Sequence, residues 1–395
     1  MSRRGIIWRA LLGALCLICF GWGRSLALGL ENMPAPQVLS GLAVTGQRAR
    51  DMLETESMQE APMAFAAWGQ LDGQQVQEPL LGLSATADVL LIAGPSGLVY
   101  ESDAPLDMED DGGCLIDPAT AQALFGNSRP VGSTLEWDGR TLTVRGVLGS
   151  SRPLLAVQAL DGDSGLDHVS LLVPEGRSPG LSTGEFSGRH GLFGSWAGTG
   201  IWAGLAGSAS LLPVLLALGY GLIKIIKTAL AAVQYPVVFL VCLLAAGAVW
   251  TAGLLATGIS FQIPAELLPS KWSDFEFWGR LFDEKREEFT ALLAASKTEP
   301  ELSRMLPALT ALAAGFVGSL LAVGVLMSIR PESGGGLWVC CAACMVMSFA
   351  MSLLPDWGLA RDRALWLMPP LCLASRMAAD RLALWARRIA NQSTM

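Results

Sequence analysis

Apolar residues in this chain gather into long runs, and two polar stretches interrupt them. Runs at about 6–28, 199–223, 235–260, 306–329 and 337–355 each approach or exceed the roughly 20 residues that a helix needs to cross a bilayer. A weaker sixth run lies at about 364–383. Its cleanly apolar part, Ala364 to Ser375, is short and contains Pro369-Pro370, and Arg376, Asp380 and Arg381 would have to snorkel or pair there. The pattern predicts an α-helical membrane bundle of five or six transmembrane helices with an inserted α+β extracytoplasmic domain. The segments are an N-terminal anchor at 1–29, the α+β domain at 30–195, transmembrane helices 2 and 3 at 196–260, an extracytoplasmic amphipathic helical insertion at 261–304, and transmembrane helices 4 to 6 with a basic cytoplasmic tail at 305–395.

Within the polar island, Pro34 and Pro36 mark a short linker, and 37–58 reads as a helix with Leu39, Leu42, Val44 and Met52 spaced among polar residues. From Met63 the pattern changes to short apolar runs, Met63–Trp68, Gln75–Leu83 and Ala87–Ala93, which read as strands. Cys114-Leu115-Ile116 predicts a buried strand. Asp117 suits an N-cap and Pro118 the first helical position, so Ala119 to Phe125 forms a short helix that Gly126 can end in a left-handed conformation. Alternation around Asp138-Gly139 predicts a two-residue hairpin between 134–137 and 141–144. Further strands are expected at about 153–159 and 167–173, and the Ser-Gly pairs around 149–187 read as loops.

Of 395 residues, 52% are hydrophobic and 16% charged, against about 25% charged in a typical soluble domain. Arg3, Arg4 and Arg9 before the first run fit a retained anchor better than a cleaved signal peptide, and put the N-terminus in the cytoplasm by the positive-inside rule. Lys224 with Lys227, Arg330, and the tail arginines Arg376, Arg381, Arg387 and Arg388 then fall on the same inner side. The 261–304 stretch falls outside, although it carries Lys271, Arg280, Lys285, Arg286, Lys297 and Arg304. Seven of the eight cysteines lie in the runs and suit helix packing; Cys114 alone lies in the island, so no disulfide framework is expected.

Ser273 and Glu276 make a capping box, and Trp272, Phe275, Trp278 and Phe282 recur as the apolar side of a candidate interfacial helix touching membrane lipids. Gly200, Gly204 and Gly207 give the second run a small-residue face for close packing against another helix or a second copy of the chain. Charged residues are nearly absent from the runs before the last one, which argues against a proton- or ion-coupled carrier.

The stretch 112–148 resembles the end of the extracytoplasmic core domain of MacB/FtsX-like ABC transporter permeases. The resemblance rests on Leu124-Phe125-Gly126 closing the short helix, on Val131-Gly132, and on Val144-Arg145-Gly146-Val147 ending the hairpin; Ala67-Trp68-Gly69-Gln70 fits the family's early strand. It covers roughly residues 1–175. It implies a non-ATPase permease subunit that couples a separate ABC ATPase to movement of the outer domain, acting on a lipophilic or peptide substrate; a homodimer is a candidate assembly through the Gly200, Gly204 and Gly207 face. It also implies an ATPase-coupling loop at about 224–236, carrying Lys224, Lys227, Gln234 and Tyr235. That stretch departs from the family by lacking a charged, glycine-containing loop sequence, and the chain adds one or two runs and the 261–304 insertion. The alternative is a membrane-anchored sensor or scaffold that binds an extracytoplasmic partner without transport.

The chain has no P-loop and no G-x-S-x-G elbow. His168 and His190 are its only histidines, and neither sits in a metal-ligand spacing. The acids at Asp103, Asp107, Glu109, Asp110 and Asp111 do not match an EF-hand and read as a solvated loop. No catalytic residue, metal, cofactor or nucleic-acid partner is therefore expected, and an enzyme is the least favoured reading.

Overall fold

The computed structural model describes residues 3–258, 298–328 and 333–393, apart from 81, 101, 103, 151 and 175, with isolated positions between 276 and 290. The 261–304 insertion lies mostly outside the described residues. Trp272, Ser273 and Phe275 fall there, so the capping box is described only at Glu276, whereas Glu276, Trp278 and Phe282 are helical and exposed.

In chain order the elements are α1 (Arg3–Asn32), β1 (Gln37–Val44), α2 (Gly46–Ser57), β2 (Phe65–Glu78), β3 (Leu83–Ala93), β4 (Gly113–Ile116), α3 (Pro118–Phe125), β5 (Thr134–Trp137), β6 (Arg140–Val147), β7 (Leu154–Gln158), β8 (Leu166–Leu171), α4 (Pro179–His190) and β9 (Trp196–Gly198). The helices α5 (Gly200–Ala231), α6 (Pro236–Thr257), α7 (Glu299–Ser328), α8 (Gly334–Ser352) and α9 (Arg363–Ser393) follow. They divide into a helical unit, Met1–Asn32, Trp202–Trp272 and Leu306–Met395, and an α/β unit, Met33–Ile201 and Ser273–Met305.

In the α/β unit nine strands run in the order β3-β7-β4-β6-β5-β2-β8-β1-β9, and β2 also pairs with β3. One edge of β2 lies along β3. Its other edge meets β8 near its start and β5 at Gln77↔Glu136. Six strands therefore close into a ring, β2-β3-β7-β4-β6-β5, from which β8, β1 and β9 extend. Closure removes two bare edges that would otherwise have to be covered. The pairs β3–β7 and β4–β6 are parallel and the rest antiparallel.

Strand alternation serves two cores. Val89, Leu91, Leu155 and Val157 face one apolar cluster, joined by Met52 of α2, Leu124 of α3 and Phe186 of α4. Leu90, Ile92, Leu154 and Ala156 face a second, with Trp68, Tyr100 and Leu106. Burial on both faces explains why these strands read as continuous apolar runs rather than an apolar-polar alternation.

Local chemistry sets the element ends. Asp117 caps α3 through one carboxylate oxygen, accepting from Ala119 and Thr120 N–H at 2.8 and 3.1 Å, while the other accepts from Leu154 N–H at 2.8 Å and ties the cap to β7. Gly126 ends α3 at φ 63°, and Asp138 (φ 50°) and Gly139 (φ 70°) form the tight β5–β6 turn.

Three expectations change. The span 37–58 is not one helix: its first half is β1, hydrogen-bonded to β8 on one side and β9 on the other, and the helix begins only after Thr45 accepts from Arg48 N–H. Gly41 (φ 78°) adopts a conformation that breaks a helix, and the paired edges outweigh the helical spacing. The strands read at 63–68 and 75–83 are one long strand, β2, whose register shifts between Leu71 and Gln74. The Ser187-Gly188 pair, read as loop, lies within α4, which Pro179 starts and Gly191 ends at φ 63°.

In the helical unit, Ile7–Asn32 of α1 and the whole of α5, α6, α7 and α8 are long and apolar enough to cross a membrane. α9, the expected sixth span, is a 31-residue helix that passes through Pro369-Pro370 and is not among the apolar five. One apolar cluster joins Phe20 of α1, Leu211, Val214 and Leu218 of α5, Met351 of α8, and Leu365 and Met368 of α9. Another joins Ile225, Val238, Cys242 and Ala379. Outside these clusters Leu240, Leu244, Phe316, Leu320, Trp338 and Val346 are exposed, an apolar exterior that suits lipid rather than water.

Candidate functional site

The helical unit holds an ionic centre at one of its ends. Arg24, well inside α1 and toward the end of the expected first span, is 6% exposed. Its guanidinium grips Asp362, in the turn before α9, through two contacts: Nε donates to Oδ2 at 3.1 Å and Nη2 to Oδ1 at 3.2 Å. Asp362 is 9% exposed. Nη1 of Arg24 donates to Ser210 Oγ of α5 at 3.5 Å and lies 3.6 Å from Glu31, which is half-exposed. A buried charge persists when it is paired and hydrogen-bonded on several sides, and the planar guanidinium fork meets that need better than an ammonium.

Beside this centre lies a pocket of about 540 Å³, lined by Ser25, Leu28, Gly29 and Asn32 of α1, Thr257 and Gly258 at the end of α6, and residues between Trp357 and Ala364. Asp362 forms part of its wall, and Arg361 and Arg363 flank Asp362. Both arginines are exposed.

Farther along the bundle a second polar contact joins α5 to α9. Lys224 pairs with Asp380, each about one third exposed. One turn earlier, the buried Arg376 guanidinium lies 5.4 Å from the ring centre of Tyr220, within cation–π range. The arginine and aspartate that made α9 doubtful as a span thus face α5. Arg24 also corrects the expectation that charges are nearly absent from the earlier runs; its charge is matched by Asp362.

The residues singled out in the sequence fall in separate places. Lys224 and Lys227 sit within α5, Gln234 and Tyr235 in the short link 232–235, and α6 begins at Pro236, so helix fills most of the stretch read as a coupling loop. Tyr235 packs beside the Ile225 and Val238 cluster. Among the three glycines read as a packing face, a Cβ on Gly204 would meet nothing, and one on Gly200 would touch Ala35. A Cβ on Gly207 would lie 2.9 Å from Glu31 Oε1, so that glycine makes room for the ionic centre. The tight helix crossings lie elsewhere: a Cβ on Gly315 of α7 would run into the Ala209 carbonyl of α5, and one on Gly221 of α5 into Ser375 of α9.

In the α/β unit the two histidines are structural. His168 stacks on Trp68 (ring centres 4.2 Å apart) and contacts Asp167 at 2.6 Å, while Trp68 Nε1 donates to Ser170 Oγ at 2.8 Å. Glu56, 3% exposed, lies 2.8 Å from His190 Nε2, pairs with Arg189 and accepts from Met63 N–H at 3.1 Å. Burial alone would raise the Glu56 carboxyl; the hydrogen bonds from Met63, His190 and Arg189 outweigh it and hold the carboxyl below its ordinary range. The acidic run is not wholly solvated, because Asp110 takes two hydrogen bonds from Arg145, at 2.7 and 3.2 Å, and Asp111 lies 3.5 Å from Arg50. Burial pushes the Cys114 thiol up to about 12, with Arg145 opposing and Asp110 adding. Glu299, at the start of α7, is buried; its N–H donates to Gln70 Oε1 at 2.9 Å and its carboxylate accepts from Ser150 at 2.8 Å. Among the described residues no His, Cys, Asp and Glu group is arranged to hold a metal ion.

Two solved structures resemble part of this chain. One is the periplasmic region of MacB from Actinobacillus actinomycetemcomitans, 16% identical over 40% of this chain and 85% of that one, with a TM-score of 0.32. The other is the extracellular domain of the noncanonic ABC-type transporter YknZ from Gram-positive bacteria, 16% identical over 42% of this chain and 98% of that one, with a TM-score of 0.30. No protein-family model and no curated protein matches the chain.

Proposed function

We propose that this chain is the membrane subunit, without an ATPase site of its own, of an ABC-type transport or mechanotransmission complex. A partner ATPase at the inner membrane face would shift the helices and so move the extracytoplasmic α/β unit. One observation carries the reading. A mixed α/β unit is inserted between one apolar helix and four more, and the residues behind the permease resemblance lie at a helix end, a turn and a strand of that unit, which supports the reading. Leu124-Phe125-Gly126 closes α3. Gly132, at φ 88°, donates its N–H to the Val144 carbonyl at 2.8 Å. Val144 to Val147 completes β6 against β4. The sequence carries no P-loop, which fits a subunit that relies on a separate chain for any nucleotide chemistry.

A second reading, a sensor or scaffold that recruits an extracytoplasmic partner without transport, is favoured by the shortness of the 232–235 link, which leaves little loop for an ATPase to grip. Purification of the tagged full-length chain from its native membrane in mild detergent, followed by mass spectrometry, separates the two. A stoichiometric P-loop ATPase is expected. An ATPase-free complex with extracytoplasmic proteins would overturn the permease reading in favour of the scaffold.

A further inference from the structure

The pocket beside Arg24 and Asp362 has a polar wall, an apolar wall and two arginines that form no ion pair among the described residues, while Glu31 faces Arg24. Asp362 is already spent: both its oxygens are held by Arg24. Arg361 and Arg363 have no ion-pair partner among the described residues. They also stand at the start of α9, where the helix dipole is positive and disfavours cations. Two unmatched cations at a helix N-terminus, beside an aspartate that another arginine has neutralised, form a site that an anion would relieve. The cavity of about 540 Å³ lies within the range of ligand pockets. Leu28, Trp357 and Ala364 supply apolar surface next to the charges.

Position narrows the ligand further. The pocket is built from the last turns of α1, the last residues of α6, and the turn between α8 and α9. Three apolar helices thus end or turn around it, which puts it at the edge of the hydrocarbon layer once those helices span a membrane. Anionic headgroups collect at that depth, with acyl chains directly beneath.

We infer that this pocket binds the anionic phosphate headgroup of a membrane amphiphile, held by Arg361 and Arg363, with its acyl part along Leu28 and Trp357. The inference needs the helices to lie in a bilayer but needs no ATPase, so it stands or falls separately from the permease reading. The same phosphate chemistry could come from a lipid or from free phosphate, and the test distinguishes them.

The purified full-length chain is titrated with phosphatidylglycerol or phosphatidylcholine in detergent, and retained lipid is counted by native mass spectrometry. Phosphatidylglycerol is expected to be retained in preference to phosphatidylcholine. The double variant Arg361→Gln/Arg363→Gln should lose about thirtyfold in that affinity, a factor of roughly five for each basic residue near an anionic group. Both side chains are exposed, so unfolding curves matching wild type confirm that the fold is kept. Gly29→Leu keeps both arginines and fills the cavity. A Cβ there meets nothing within 4 Å, so this variant should fold and also lose the lipid. Equal retention of the two lipids, or wild-type affinity in either variant, would overturn the inference. Displacement of the lipid by millimolar inorganic phosphate, together with wild-type binding by Gly29→Leu, would reduce the ligand to a small anion and overturn its amphiphilic part.

Discussion

Removing one member of the Arg24–Asp362 pair should cost far more than removing both. At the 3.1 Å separation of Nε and Oδ2, and an effective dielectric of about 20, the Coulomb attraction is about 5 kcal/mol. Both side chains are less than one tenth exposed, so each has lost most of its hydration, and the desolvation cost takes back much of that attraction. Arg24→Met leaves Asp362 buried with only the Ala364 N–H at 3.4 Å, and Asp362→Leu leaves Arg24 with Ser210 and the half-exposed Glu31. Each single change is expected to destabilise the helical unit by about 3–5 kcal/mol, whereas the double change should come within about 1–2 kcal/mol of wild type. The assay is unfolding of the full chain in mixed micelles of mild detergent and dodecyl sulfate, followed by far-ultraviolet circular dichroism. The double-mutant cycle then gives the coupling. Additive single losses, or single losses below about 1 kcal/mol, would show that the two charges are not buried against each other and would refute the reasoning.

Three further outcomes follow from the geometry. Gly315→Ala should destabilise the helical unit by roughly 1–3 kcal/mol, because its Cβ meets the Ala209 backbone, while Gly204→Ala should be neutral or mildly stabilising; the same micelle unfolding ranks them. Because the folded Glu56 carboxyl titrates below its ordinary range, the stability it contributes is complete above the ordinary glutamate value of about 4.3 and is lost as pH falls through the lower folded value; Glu56→Gln should flatten that acid limb in pH-dependent unfolding. Cys114, fully buried and with its thiol pushed up to about 12, should resist maleimide at pH near 8 in the native chain and react after denaturation, as read by peptide mass mapping.

The parts of the fold legible in sequence are those fixed by contacts within a few residues. Asp117, Pro118 and Gly126 act within one helix, and Asp138-Gly139 within one turn, and each sits where local chemistry placed it. β1 is not legible from its own residues because its identity depends on β8 and β9, whose residues lie more than 120 positions further along. The two runs of β2 look separate in sequence because Gly69, Asp72 and Gly73 are turn-type residues; Asp72 and Gly73 form a bulge, and β3 pairs with the strand on both sides of it. In the ionic centre, Arg24 was a readable signal: an arginine inside an apolar run needs a partner. That partner is 338 positions away, in a turn with no distinguishing pattern, and only the helix packing brings it near. The glycines show the same limit. Spacing marks Gly200, Gly204 and Gly207, while close approach is decided by what lies opposite, and that is Ala209 for Gly315 and Ser375 for Gly221.

The incoming strand β1 and the outgoing strand β9 are neighbours in the sheet, and Gln37, the first residue of one, pairs with Gly198, the last residue of the other. The Met33–Ile201 segment of the α/β unit therefore enters and leaves at two strand ends about 5 Å apart, at the same end of one ladder. Pulling those ends apart would open the β1–β9 hydrogen bonds one at a time, like a zip, at low force. Moving them together would load no bond between them and would carry the closed ring as a single body. This pair of strand ends is soft to separation and stiff to shared displacement, and Glu299 at the start of α7 adds a second fastening through Gln70 and Ser150.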